Sequence, residues 1–159
     1  MEAILAPEFP PTLDWLNLSA PLRMAQLRGK VCALAFVNAG SAWSLQRLND
    51  LAHLRARHGE KLHVVAVHVP RFEHERDPRR VAKRLNRQKY EFPIAHDPDW
   101  TLWQHYGIVA WPSVDLKFPN DSGHGVLIET GFRRSTGGSK GAITVRMWGT
   151  KVWDIKSGQ

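Results

Sequence analysis

Residues Val31 to Asn38 read Val-Cys-Ala-Leu-Ala-Phe-Val-Asn, apolar almost without a break, and the turn Ala39-Gly40-Ser41-Ala42-Trp43-Ser44 follows at once. So short and so apolar a run reads as a strand buried on both faces, and strands of that kind belong to sheets with helices packed on both sides. The fold class this predicts is α/β. In such sheets ligands and redox groups gather just outside the carboxyl end of a central strand. Here Ser41, Trp43 and Ser44 occupy that place, so the chemistry open to the chain depends on what serines at this turn can do.

The flanking patterns agree with that reading. Leu13 to Leu18 alternates as a short edge strand after a proline-fixed entry at Pro7, Pro10 and Pro11. Past the turn, Leu45, Leu48, Leu51, Ala52 and Leu54 fall on one helical stripe that Gly59 closes. Leu62 to Val69 is a second buried strand, stopped by Pro70, and the strand, helix, strand order implies a parallel unit. Asp77-Pro78 and Asp97-Pro98 each read as a helix start, with Asp as cap and Pro at the first helical position. The first predicts a helix to about Lys89 and the second a short one to Gly107, with Phe92 to Ile94 a linking segment. Ser113 to Phe118 and Val126 to Phe132 read as an antiparallel pair around a loop at 119–125.

Composition narrows the functional classes. The 159 residues, 43% of them hydrophobic, suffice for one domain with a real core. A single Cys, Cys32, excludes an intramolecular disulfide, and no stretch reaches the 18 apolar residues of a membrane span. A cytoplasmic location is the expectation, with no membrane partner. The eight His show no short metal-ligand spacing, so no metal and no cofactor is expected. Net charge is +7, and Arg79, Arg80, Lys83, Arg84 and Arg87 form a dense basic face opposite Val81 and Leu85. Without a recognition module or interleaved exposed aromatics, nucleic acid is not the expected partner of that face, although anion or nucleic-acid binding through it is one reading of the chain.

Six stretches in order carry a family resemblance: Ala6 to Pro10, Leu13 to Asn17, Leu27 to Val31, His68 to Glu73, Asp97 to Trp103 and Tyr106 to Pro112. Residues 1–114 resemble a thioredoxin-like domain of the TlpA-like branch, and most closely the thioredoxin domain at the start of NHL-repeat-containing proteins. The resemblance implies a central mixed sheet flanked by helices, with a Cys-x-x-Cys at the positions held here by Ser41 and Ser44. Thiol exchange needs a thiolate and a resolving sulfur, and a serine hydroxyl supplies neither. Dithiol oxidoreductase activity is therefore not expected, and no catalytic residue is assigned. Ser41 and Ser44 read as helix-capping or solvated residues rather than catalytic ones, and the second glycine of a Gly-x-Ser-x-Gly elbow is missing, which counts against a hydrolase. Cys32, inside the buried strand, reads as a core residue; its use as a lone reactive thiol in an oxidoreductase or peroxidase relative is the alternative.

By the same resemblance Pro112 matches the cis-proline that faces the thiols in thioredoxin folds. With Trp43 and Trp111 near it, the expected binding surface is a groove for an extended peptide or protein partner, set against the plainer reading that both rings pack.

The last 45 residues, 115–159, leave that pattern. Where a thioredoxin fold would place a closing helix, Ala142 to Trp148 and Lys151 to Ile155 read as a second hairpin, and Asn120 to Ile155 resembles in part the VanW family. The expectation is a thioredoxin-like core at 1–114 with a β-rich tail at 115–159, a chimera or fusion among its origins. One sheet face is then left to the tail, to a second copy of the chain, or to solvent. The function expected is a redox-inactive binding or scaffold module.

Overall fold

The computed structural model describes residues 7–27, 31–117 and 126–129. In chain order they form β1 (Asp14–Trp15), β2 (Val31–Val37), α1 (Ala42–His58), β3 (Leu62–His68), α2 (Pro78–Asn86), β4 (Ile94–His96), α3 (Thr101–His105), β5 (Ser113–Lys117) and β6 (Val126–Glu129). One mixed sheet takes all six strands in the order β1-β4-β3-β2-β5-β6. β2, β3 and β4 are parallel; β1, β5 and β6 each run antiparallel to their neighbours.

The apolar run at 31–37 lies where its composition requires, between β3 and β5 with both faces covered. On one face Ala33, Ala35 and Val37 meet Leu48 and Leu51 of α1 and Val81 and Leu85 of α2. On the other, Cys32, Leu34 and Phe36 meet Phe9, Leu13 and Leu27 of the entry segment and Leu102 and Trp103 of α3. Fully burying each such large side chain contributes ~1.5–3 kcal/mol. Over β2 and β3 both faces are thus covered within the described residues, one by α1 and α2 and the other by the entry segment and α3.

Two local expectations are corrected. Phe92 to Ile94 is not merely a link: Ile94–His96 is an internal strand, pairing with β3 on one side and β1 on the other. Asp97-Pro98 does not start its helix directly, because Trp100 takes a left-handed φ of 61° and the helix begins at Thr101. Asp97 still caps it from further back, accepting from the amides of Thr101 (2.9 Å) and Trp103 (3.0 Å). At α2, by contrast, Asp77 caps Arg79 N with Pro78 in the first turn, as expected; the helix ends at Asn86 and is followed by a turn to Lys89, whose φ of 52° is left-handed.

The boundary at 114 and 115 falls inside β5, which pairs with β2 from Phe36 with Ser113 to Cys32 with Lys117. Residues 126–129 continue the same sheet as β6. The loop at 119–125 and the second hairpin at 142–155 lie outside the described residues.

Candidate functional site

The strand directions gather one set of connections at one edge of the sheet. β2, β3 and β4 end there, and β5, antiparallel to β2, begins there. The turn at 39–41, the loop at 69–77, the link at 97–100 and the segment at 106–112 therefore share that edge. Phe36 pairs with Ser113, so Pro112 stands one step on from the pairing, beside the end of β2 and close to the turn. The bond between Trp111 and Pro112 is cis.

Both serines of the turn are engaged. Ser41 caps α1, its Oγ accepting from Ser44 N at 3.3 Å. Ser44 is fully buried, and its Oγ accepts from Asn38 N at 3.0 Å, tying the first turn of α1 to the end of β2. Asn38 fixes the turn further: Oδ1 accepts from Gly40 N (2.8 Å), and Nδ2 donates to Val69 O (3.0 Å) and Glu75 Oε2 (2.8 Å). Glu75 Oε2 also accepts from the amides of Arg71 (2.6 Å) and Phe72 (3.1 Å). Burial works to raise the Glu75 carboxyl, but these hydrogen bonds outweigh it and hold the group below the usual carboxylate range. A Cβ at Gly40 would lie 2.9 Å from Glu75 Oε1 and 3.0 Å from Asn38 Oδ1, so a side chain there would displace these two groups of the network.

Behind this turn sits a buried histidine pair that its sequence separation conceals. The β3–β4 register sets His68 beside His96, both fully buried, with their Nδ1 atoms 3.0 Å apart. A carbonyl only accepts, so His96 Nε2, 3.0 Å from Arg76 O, carries hydrogen. In an uncharged pair His96 Nδ1 then accepts from His68 Nδ1, which leaves a bare lone pair at His68 Nε2. That atom has no hydrogen-bond partner among the described residues. Burial and the neighbouring His96 lower the His68 pKa to about 3, against a smaller opposing pull from Glu75.

The expected groove residues part company. Trp111 is half-buried and packs with Trp103 (centroids 4.4 Å apart) and Trp100 (5.3 Å) over the α3 face. Trp43 stands 57% exposed. Sequence reasoning missed its companions: Phe72 (56%) and Val109 (73%) complete the exposed large hydrophobics among the described residues, and the three lie at this one edge, Trp43 in the first turn of α1 and the other two on connections. An apolar residue between charged neighbours, as in Arg71-Phe72-Glu73, was the available signal. Cys32 is buried within β2, away from that edge. Among the described residues no three His, Cys, Asp or Glu are grouped to hold a metal, and no helix is long and apolar enough to cross a membrane. A half-open cleft of about 360 Å³ between α1 and the α2–β4 connection, lined by residues such as Asn49, His53, Lys89 and Tyr90, is separate from the turn.

Comparison with solved structures decides the fold. Over 80% of this chain and 92% of the other, it superposes on the pneumococcal exposed lipoprotein thioredoxin of Streptococcus pneumoniae with a TM-score of 0.66 at 21% identity. The fold is thioredoxin-like. A second thioredoxin-like neighbour, a putative thiol:disulfide interchange protein DsbE from Chlorobium tepidum, gives a TM-score of 0.61 at 21% identity over 76% of this chain and 79% of that one. By sequence the thioredoxin-like chain is 34% identical over 120 residues to the protein SUPPRESSOR OF QUENCHING 1, chloroplastic, of Arabidopsis thaliana. It is 31% identical over 119 residues to NHL repeat-containing protein 2 of Bos taurus. These matches take in 74% and 73% of the chain but only 11% and 16% of those proteins. No family model matches the chain, so the likeness of its tail to the VanW family rests on the residues quoted above.

Proposed function

We propose that this chain is a thioredoxin-like binding module without dithiol chemistry, recognising an extended segment of a protein at the edge that carries Trp43, Phe72, Val109 and Pro112. The observation that carries the reading is the placement of Trp43, Phe72 and Val109: the exposed large hydrophobics of the described residues share one edge, where scattered ones would need no explanation. The engagement of both serine hydroxyls supports it, since Ser41 and Ser44 hold the turn in shape by capping and tethering. Among its neighbours in fold are proteins named as disulfide oxidoreductases, such as that secreted by Mycobacterium tuberculosis; this chain keeps the scaffold with oxygen at the two positions where the resemblance places sulfur. Burial of Cys32 removes it from contact with any protein disulfide, so the single-thiol reading has no support in its placement.

The test is selection of random extended peptides on the full chain, followed by calorimetric titration of those recovered. Trp43→Ala is expected to weaken a selected peptide about tenfold, equivalent to ~1.4 kcal/mol, with an unchanged melting temperature. Recovery of no peptide, or peptides indifferent to both Trp43→Ala and Val109→Ser, contradicts the reading.

A further inference from the structure

A second surface, distinct from the Trp43 edge, lies along α2. Val81 and Leu85 are buried, and Arg79, Arg80, Lys83, Arg84 and Arg87 are exposed over the opposite side of the helix. At 100° per residue these cations occupy one continuous arc centred away from the buried pair. Within that arc Arg79 faces Lys83, Arg80 faces Lys83 and Arg84, and Arg87 faces Lys83 and Arg84, each at a spacing where like charges repel. Past the Asp77 cap the first turn holds no acid, so Arg79 and Arg80 oppose the helix dipole, while Lys83 and Arg84 in the last turn accord with it. Of these five cations only Arg80 has an ion pair among the described residues, a loose one with Asp77 at 3.9 Å. An arc of five exposed cations whose ion pairing among the described residues comes to one loose contact is open to an anion from outside.

We infer that α2 is a docking helix for an acidic segment of another protein. The extent of the patch selects that occupant over nucleic acid. From Arg79 to Arg87 the stripe runs about 12 Å, the reach of four or so extended residues. In sequence it is flanked by mixed charges, Glu73, Arg76 and Asp77 before the helix and Lys89 and Glu91 after it, all exposed. A short run of Asp or Glu matches the length of the stripe and needs nothing beyond it, whereas a longer phosphate backbone runs on among those mixed charges. Arginine supplies most of the donors, and its planar fork pairs with carboxylates two bonds at a time.

The probe is a fluorescent peptide of about six glutamates, measured by anisotropy on the full chain against a glycine-serine peptide and an oligothymidylate of equal charge. The glutamate peptide is expected to bind best, with affinity falling as salt rises. Lys83→Glu with Arg87→Glu is expected to weaken it about tenfold or more, while Arg57→Glu with Lys61→Glu, the same charge change at the end of α1, costs about twofold or less. Where the first pair lowers the far-UV helical signal, Lys83→Gln with Arg87→Gln makes the same comparison with a smaller loss. Equal losses from the two sites, tighter binding of the oligothymidylate, or no binding of the glutamate peptide overturns the inference. Trp43→Ala leaves this binding unchanged, so the outcome is independent of the peptide edge.

Discussion

Asn38 holds the candidate site together, because its side chain joins the turn, the end of β3 and Glu75 in one network. Asn38→Ala strips the side-chain partner from the buried Val69 carbonyl and from the Gly40 amide, and one of three donors from Glu75 Oε2; a buried group left unpaired costs ~1–3 kcal/mol. Urea unfolding should show a loss of about 2 kcal/mol or more, and a loss near zero would place those groups in contact with water. The histidine pair gives the pH dependence. His68 titrates at 6.5 in the unfolded chain and at about 3 in the fold. Its folded value is the lower, so its contribution is fully present above pH 6.5 and is lost as pH falls towards 3. Glu75, also held low, loses its contribution in the same direction. Stability is expected to fall by ~1.4 kcal/mol per pH unit for the one proton of His68 across that window, and urea midpoints from pH 7 to pH 4 in the wild type and His68→Leu check it: the variant's decline is shallower. Neither network was legible in the sequence. His68 and His96 are 28 residues apart and meet only through a strand register, and Glu75 reaches Asn38 only because β3 ends beside β2.

Elements with strong local signals were legible, and those defined by their neighbours were not. The run at 31–37 needs no partner to be recognised, because only a strand buried on both faces accommodates it. α1 announces itself by its apolar stripe, with Ser41 before it and Gly59 after it. β4 has three residues, too few for any period, and is a strand because β3 and β1 flank it. The same holds at α3, where Asp97 caps from beyond a left-handed Trp100 that no local rule requires. Thermal unfolding can weigh the elements against each other. Ser41→Ala is expected to cost ~1 kcal/mol for the lost cap, and Leu48→Ala, fully buried between α1 and the sheet, ~2–5 kcal/mol. Equal costs would mean that α1 is held by its cap as much as by its packing.

For the molecule as a whole, the function proposed above separates the scaffold of a thioredoxin-like fold from its chemistry. The sheet order, the two covered faces and the shared edge of connections are all present, while the turn offers hydroxyls already committed to hydrogen bonds. That much of the site was legible from Ser41, Trp43 and Ser44 alone; the exposure of Phe72 and Val109 was not, because it depends on which loops share an edge. The most direct measurement of the central claim is insulin reduction by the full chain with dithiothreitol as the electron source. The account predicts the rate of dithiothreitol alone, in the wild type and in Cys32→Ser alike. Acceleration by the wild type that disappears in Cys32→Ser would contradict it.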